Sequence, residues 1–231
     1  MKRTRIKICG LTREQDVVSA IEAGADALGF VFYDKSARYV TPQRAAQLVA
    51  GLPAFVSVVG LFVNATDAEV RAVRDQVPLS LLQFHGDESV ADCARQAAMT
   101  GLPFLRAERM AATTVPESLL QCELSYSAAS KLFSGLLLDT LVEGYGGAGK
   151  VFDWSLVPKE LAPRVVLSGG LSAHNITEAV LRLHPYAVDV SSGVETAKGI
   201  KDADKIRAFI AAVRQADLLA VGSAADPATL N

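Results

Sequence analysis

Short apolar runs rich in valine, isoleucine, leucine and phenylalanine alternate along the chain with alanine-rich segments whose apolar residues recur at helical spacing. The apolar runs predict strands at 5–9, 26–32, 56–62, 80–84, 102–106, 135–139, 164–168 and 187–191. The segments between them predict helices at 13–23, 42–50, 66–75, 87–98, 116–123, 153–161, 173–183 and 202–214. We therefore expect eight repeats of a strand followed by a helix.

Most residues of the predicted strands are apolar, which is typical of a parallel sheet buried on both faces. Eight strand–helix units without a change in composition favour an α/β fold with a single (β/α)8 TIM barrel over residues 1–215. Residues 216–231 are expected to form a disordered C-terminal tail. A doubly wound open sheet is the alternative, although it would usually contain fewer strands. Periodicity is poorest in 107–134.

The composition limits the partners that the protein can have. Half of the 231 residues are hydrophobic and 21% are charged, with a net charge of −2. This balance favours neither a nucleic acid nor an anionic membrane as a partner, and no apolar run approaches the ~20 residues of a membrane helix. Cys9, Cys93 and Cys122 are widely spaced and odd in number, which fits a reducing compartment better than a disulfide framework. We expect a cytoplasmic protein.

Polar and glycine residues follow almost every predicted strand, at the end where such a barrel carries its chemistry. Cys9 ends the first strand, and Asp139 ends the sixth, directly after three leucines. A carboxylate is rarely placed beside a core without a partner or a task. If the strands belong to one closed sheet, this thiol and this carboxyl face one pocket as a base and an acid. The pattern predicts proton-transfer chemistry at Cys9 and Asp139.

Glycine-containing loops follow the last two predicted strands. Gly169-Gly170-Leu171-Ser172 follows the seventh strand, and Ser191-Ser192-Gly193-Val194-Glu195 follows the eighth. Glycine lets backbone N–H groups approach an anion closely, and these two loops are the usual phosphate position in such barrels. The glycines of one such loop could serve only to form a tight turn. Two such loops on adjacent strands favour a phosphate-binding site. The predicted ligand is a phosphorylated small molecule.

The segment 144–151, GYGGAGKV, matches two nucleotide-binding patterns without their context. It lies too far after the sixth strand to open a dinucleotide-binding unit, and no acidic residue follows at the required distance. Val151 also stands where a magnesium-binding hydroxyl would be needed. We interpret the segment as a mobile loop that closes over the site.

Arg38 lies in a polar loop after the second predicted strand. Such an arginine is commonly solvated, but its planar guanidinium also matches a carboxylate bidentately, so Arg38 is a candidate for binding an acidic group of the ligand. His85 follows the fourth strand and could cap a loop or contact the ligand. The three histidines are scattered and no C-x-x-C or H-E-x-x-H occurs, so no metal site is predicted.

Several motifs, in order along residues 5–214, together resemble the phosphoribosylanthranilate isomerase family. They are Lys7-Ile8-Cys9-Gly10, Gly29-Phe30-Val31-Phe32-Tyr33, Ser36-Ala37-Arg38-Tyr39-Val40, Gln83-Phe84-His85-Gly86, Leu137-Leu138-Asp139, the segment 146–154, Leu167-Ser168-Gly169-Gly170-Leu171 and the segment 188–195. The resemblance implies a stand-alone enzyme of tryptophan biosynthesis. It would convert a ribosylamine phosphate into a 1-amino-1-deoxyribulose phosphate by an Amadori rearrangement, without a cofactor or metal.

The resemblance also implies roles for individual residues. Asp139 would be the general acid that opens the ribose ring, and Cys9 the base that removes the C2 proton. Arg38 would pair with the anthranilate carboxylate, while Gln83 and His85 would line the ring side. The phosphate would be bound at or near Gly170, Asp189, Ser192 and Gly193. Lys7, two residues before Cys9, could lie on the same face of the strand and supply positive potential.

Two other functions remain possible from the sequence. An isomerase of the histidine pathway runs the same rearrangement on a similar barrel, but that family generally has an aspartate where Cys9 stands, and its two halves resemble each other. A barrel that only senses a phosphorylated ligand, or serves as a scaffold, would not need both Cys9 and Asp139. The sequence leaves the oligomeric state open between a monomer and a homodimer.

Overall fold

The computed structural model describes residues 3–141 and 151–224, apart from the side chains of 222–224. Its eight barrel strands are β1 Arg5–Cys9, β2 Ala27–Val31, β3 Ser57–Phe62, β4 Leu81–Phe84, β5 Phe104–Met110, β6 Phe133–Thr140, β7 Val166–Leu167 and β8 Ala187–Val190. Its α-helices are α1 Glu14–Ala23, α2 Pro42–Val49, α3 Asp67–Arg74, α4 Val90–Thr100, α5 Pro116–Ala129, α6 Ile176–Leu183 and α7 Ala203–Ala224. A short antiparallel hairpin, β9 Glu195–Ala197 with β10 Ile200–Lys201, follows β8.

The eight strands form a closed parallel barrel in chain order. The first strand pairs with β2 on one side and with β8 on the other, where Lys7 is the register partner of Asp189. The predicted (β/α)8 barrel is therefore confirmed, and the open-sheet alternative is wrong. Closure places the C-terminal ends of all eight strands around one mouth.

The barrel strands bury both faces, as their apolar sequences predict. Ile6 and Ile8 of β1 pack into the large core between the strands and the helices, whereas Cys9 packs with Val31 and Leu61 inside the barrel mouth. Successive residues of a strand point to opposite faces. The same alternation therefore directs polar residues near the strand ends into the barrel.

One predicted helix is wrong. The expected helix 153–161 is replaced by two short 3-10 turns, Trp154–Leu156 and Ala162–Arg164. Pro158 and Pro163 lie between and within these turns, and proline lacks the backbone N–H that a continuing α-helix requires. In the weakly periodic region, by contrast, α5 runs to Ala129 and is longer than predicted.

The last helix, α7, continues past the domain boundary expected at residue 215 and reaches Ala224. Ala216 is fully buried, and the Asp217 carboxylate accepts hydrogen bonds from the backbone N–H and hydroxyl of Thr4. These contacts hold this part of the expected tail against the barrel. The rest of that tail, 225–231, and all of the glycine-rich loop except Val151 lie outside the described residues. In the described part of the chain, no helix is both long and apolar enough to cross a bilayer.

Candidate active site

A pocket opens at the mouth of the barrel, lined by residues from the ends of most strands. Cys9 at the end of β1 and Asp139 near the end of β6 both line it, and both side chains are almost completely buried. The two strands lie on opposite sides of the closed barrel. The structure thus brings the predicted base and acid to the same pocket from different walls.

A buried ion pair lies beside Cys9. The Nζ atom of Lys7 is 2.8 Å from Oδ1 of Asp189, and each side chain is only 5–6% exposed. A Cβ atom on Gly29 would lie close to both Lys7 Cε and Cys9 Sγ, so Lys7 faces the same side of β1 as Cys9, as the alternation predicts. Burial lowers the pKa of Lys7, but the charge of Asp189 and the contact with Cys9 outweigh burial, so Lys7 remains an ammonium.

The ionisation of Cys9 is set by opposing effects. Burial raises the pKa of the thiol, the positive charge of Lys7 lowers it, and the negative charge of Asp189 raises it again, with a net rise. Positive potential from Lys7 is therefore present, but burial outweighs it in the free pocket. The resting form of Cys9 is the neutral thiol.

Asp139 lies at the end of a chain of hydrogen bonds from β4. The His85 Nε2 atom is 3.0 Å from Asp139 Oδ2, and the His85 Nδ1 atom is 2.8 Å from Gln83 Nε2. The backbone N–H of Thr140 donates to the other carboxyl oxygen of Asp139 at 2.9 Å. Gln83 and His85 both line the pocket, and His85 also contacts the predicted acid.

Arg38 lines the pocket opposite these residues and is held by an acidic partner. Its Nε and Nη2 atoms each lie 2.8 Å from a different carboxyl oxygen of Glu195, in bidentate geometry. Lys201, which is fully buried in its side chain, contacts the same carboxylate at 2.9 Å. Burial alone would raise the pKa of Glu195, but Arg38 and Lys201 outweigh burial and lower it. Glu195 is therefore a charged anchor for Arg38.

The loops after β7 and β8 form one rim of the pocket. Gly170, Ser192 and Asp189, the residues predicted to bind the phosphate, line the pocket, and the Asp189 carboxylate is engaged by Lys7. Gly193 does not line the pocket. A Cβ atom there would overlap the carbonyl oxygen of Leu171, so glycine allows the two loops to lie against each other. Gly193 thus shapes the rim by close packing.

Sequence reasoning missed several residues of the site. Glu195 and Lys201 were not identified, and Lys7 was only a weak candidate. Gly29 was also missed. A Cβ on it would lie 2.7 Å from the Cys9 sulfur, so this glycine makes room for the thiol. The periodicity of β1 was the available signal for Lys7, whereas nothing in the sequence connects Glu195 with Arg38.

Comparisons with known proteins agree with this arrangement. Residues 6–212 match the family model described as N-(5'-phosphoribosyl)anthranilate (PRA) isomerase. The chain is 65% identical over 215 residues to N-(5'-phosphoribosyl)anthranilate isomerase from Herminiimonas arsenicoxydans, covering 93% of this chain and 95% of that protein.

Solved structures give the same result. Phosphoribosyl anthranilate isomerase from Thermotoga maritima is similar, with a TM-score of 0.80, 40% identity, and coverage of 92% of this chain and 99% of that one. A second isomerase structure, in complex with reduced 1-(o-carboxyphenylamino)-1-deoxyribulose 5-phosphate, has a TM-score of 0.77 and 38% identity, with coverage of 92% and 99%. A further Thermotoga maritima structure shows monomers of the dimeric enzyme, with a TM-score of 0.76, 36% identity, and coverage of 91% and 98%. On the family match, the sequence identity and the shared barrel, the chain belongs to the phosphoribosylanthranilate isomerase family.

Proposed function

We propose that this protein catalyses the Amadori rearrangement of N-(5-phosphoribosyl)anthranilate to 1-(2-carboxyphenylamino)-1-deoxyribulose 5-phosphate, a step of tryptophan biosynthesis. The observation that carries the proposal is the convergence of Cys9 and Asp139 on one pocket whose rim is made by the loops after β7 and β8. A base and an acid on different walls suit a reaction that adds a proton at one substrate atom and removes one from another. Family membership supports the same substrate.

The first step is opening of the ribose ring. Asp139 gives a proton to the ring oxygen, the bond from C1 to that oxygen breaks with its electron pair passing to the oxygen, and the nitrogen lone pair forms a C1=N bond. Cys9 as thiolate then takes the C2 proton, the C–H electron pair forms C1=C2, and the C1=N pair returns to nitrogen. The resulting enol tautomerises to the ketone. Each positioned proton transfer contributes roughly 10²–10⁴-fold.

The thiolate must form before the second step. Because the free pocket holds Cys9 as a thiol, its proton leaves to solvent, and the Lys7 ammonium stabilises the anion that remains. Substrate and product are isomers, so the electron balance calls for no redox cofactor.

Two groups of residues at the pocket suit the two anionic ends of the substrate. Arg38 can offer N–H groups that Glu195 does not use, and these would bind the anthranilate carboxylate. Backbone N–H groups at Gly170 and Ser192 would hold the phosphate, and Gly193 would contribute by letting their two loops pack together. Asp189 would act by fixing Lys7 rather than by touching the phosphate, because two anions in contact repel each other.

A fluorescence assay tests the proposed function, because rearrangement of the ribosylated anthranilate phosphate removes its anthranilate-type signal. We expect turnover by the wild type and a fall in kcat of roughly 10²–10⁴-fold for Cys9→Ala and for Asp139→Ala. Cys122→Ala is the matched control, because Cys122 contacts Glu108 and does not line the pocket, and it should retain wild-type kcat. Ligand binding without turnover by the wild type would instead indicate a sensor. Faster turnover of the histidine-pathway ribosylamine would indicate the other isomerase.

We also propose that the protein acts in the cytoplasm as a monomer or a homodimer, with a phosphorylated small molecule as its partner and with no nucleic-acid or membrane partner. Free Cys9, Cys93 and Cys122 support a reducing compartment. Sedimentation of the purified full chain would decide between the two oligomeric states.

A further inference from the structure

Gln83, His85 and Asp139 form a hydrogen-bonded group that we call the proton triad. Gln83 and His85 are alternate residues at the end of β4, so both side chains point into the barrel. His85 reaches across the barrel mouth to Asp139 on β6. All three side chains are buried, and Gln83 is completely inaccessible to solvent.

The hydrogen-bond geometry allows the protons of the triad to be assigned. Because the Gln83 amide nitrogen can only donate, we assign His85 Nδ1 as its acceptor and place the ring proton on Nε2. That Nε2–H donates to Asp139 Oδ2, while the Thr140 N–H donates to Oδ1. Both carboxyl oxygens of Asp139 therefore accept a hydrogen bond in this arrangement.

The other end of the Gln83 amide is unpaired. Its Oε1 atom is buried and has no hydrogen-bond partner among the described residues. Rotation of the amide would bring Oε1 to His85 Nδ1, where it would accept a proton carried by that nitrogen. One glutamine can thus pair with His85 whether Nδ1 is protonated or not. The two arrangements of the triad differ by one proton.

We propose that His85 holds the proton that Asp139 delivers to the substrate, and that Gln83 is the positioning residue that pairs with both states of the ring. This inference rests on the proposed function, because it gives Asp139 its role as acid. In the loaded state, both ring nitrogens of His85 carry protons and Gln83 Oε1 accepts from Nδ1. His85 acts through Asp139 and does not itself contact the ring oxygen.

The proton balance is simple. The Nε2 proton of His85 crosses to Asp139, Asp139 passes a proton to the ribose ring oxygen, and the C1–O bond breaks as described above. The triad has then lost one proton, and His85 is neutral with its remaining proton on Nδ1, where Gln83 Oε1 accepts it. A proton from solvent reloads Nε2 before the next turnover.

Other titratable groups lie in or beside the pocket that contains the triad, and the substitutions tested below leave all of them in place. From β1 these are Cys9 and Lys7, from the loop after β2 Tyr33 and Arg38, and from β8 Asp189. On the neighbouring β5, Arg106 pairs with Glu88 and Arg109 pairs with Asp87. A change confined to Gln83 therefore reports on the triad itself.

The test follows the two ring nitrogens of His85 by 15N NMR in the full-length free protein across a range of pH. At alkaline pH we expect the neutral ring to carry its proton on Nε2, and on acidification we expect Nδ1 to become protonated. This measurement needs no substrate. A wild type that fails to turn over would therefore reject the proposed function and leave the triad to be judged by its own signals. A neutral ring protonated on Nδ1 would overturn the triad.

Two substitutions of Gln83 should move the titration of His85 in opposite directions. Gln83→Met removes the partner of both ring states, but the hydrogen bond lost by the charged ring is the stronger one, so the titration midpoint should move to lower pH. Gln83→Glu places a carboxylate against Nδ1, so the midpoint should move to higher pH. We expect kcat to fall at least tenfold in both variants, with KM within about twofold of wild type, because Asp139 acts in the chemical step.

A purely structural role for Gln83 predicts a different result. Loosened packing would change the stability of both variants, but it would not separate their His85 midpoints in opposite directions. Equal midpoints in Gln83→Met, Gln83→Glu and the wild type would overturn the proposal. If either variant failed to fold, the ring tautomer of the wild type would still decide the question.

Discussion

Lys7 and Asp189 are register partners on the first and last strands, and their side chains form an ion pair of 2.8 Å at the seam where the barrel closes. Both charges are almost completely buried. A buried pair with this geometry is tolerated because each charge neutralises the other, and the loss of one partner leaves an uncompensated charge. The pair therefore links closure of the barrel to the electrostatics beside Cys9.

Replacing one partner of this pair should destabilise the protein. We expect Lys7→Met to lower the free energy of unfolding by about 3–5 kcal/mol, because Asp189 remains buried without its countercharge. Urea unfolding at neutral pH measures this. The double variant Lys7→Met/Asp189→Leu should recover most of the loss, since two apolar side chains need no countercharge. A double variant as unstable as Lys7→Met would show that the ion pair is not the cause.

The same pair should control the reactivity of Cys9 with iodoacetamide, which attacks the thiolate. Burial raises the pKa of Cys9. The pH at which its alkylation rate rises should therefore be higher than the corresponding pH for an exposed cysteine. Lys7 lowers this pKa and Asp189 raises it, so Lys7→Met should move the alkylation profile to higher pH and Asp189→Asn to lower pH. Peptide mass spectrometry measures alkylation of Cys9 separately from alkylation of Cys93 and Cys122.

An unchanged alkylation profile in both of these variants would contradict the electrostatic role of the pair. A shift in the same direction for both would instead point to a change in burial, because removal of either residue would then act by opening the pocket rather than by changing its charge.

Gly29 should be intolerant of even a methyl group. It is the register partner of Cys9, and a Cβ there would lie 2.7 Å from Sγ and 3.0 Å from the Cε atom of Lys7. We expect Gly29→Ala to cost about 1–3 kcal/mol of stability through overpacking. It should also lower kcat, by up to roughly 10²-fold, because the sulfur is displaced. Urea unfolding and the fluorescence assay measure the two effects.

The Gly29→Ala change can also be made in a Cys9→Ala protein, which tests whether contact with the Cys9 sulfur causes the loss of stability. Combined with Cys9→Ala, the Gly29→Ala change should be far less destabilising, because the atom it overlaps most closely is gone. If its cost were the same in both backgrounds, the clash would lie elsewhere.

The strand ends were predictable from the sequence, but the partners of their side chains were not. Cys9 and Asp139 are the last residues of predicted strands, which is why both could be placed at the barrel mouth. Lys7 and Asp189, by contrast, are 182 residues apart, and Arg38 and Glu195 are 157 apart. Only barrel closure and the course of the β8 loop bring these pairs together, and neither leaves a local signal.

The one misassigned helix has a local explanation. Trp154, Val157 and Leu161 are spaced like one face of a helix, and such spacing favours a helix at 153–161. All three are buried, but the backbone around Pro158 forms two 3-10 turns instead. Apolar periodicity therefore identified which residues are inside, while proline decided the backbone conformation.

Arg38 and Glu195 should together set substrate affinity. Arg38→Ala should raise KM with little change in kcat, because it removes a contact made equally in the ground and transition states. A charge-assisted hydrogen bond is worth about 1.5–3 kcal/mol, so the rise in KM should be roughly tenfold to hundredfold. The dependence of the fluorescence rate on substrate concentration measures both constants.

Glu195→Ala should produce the same kind of effect without touching the substrate. It removes both acceptors that hold the Arg38 guanidinium, so KM should rise because more side-chain freedom is lost on binding. Arg38→Lys is the matched control, since it keeps the charge but loses the planar fork, and its KM should lie between those of the wild type and Arg38→Ala. A fall in kcat at constant KM in the Arg38 variants would place this residue in the chemical step instead.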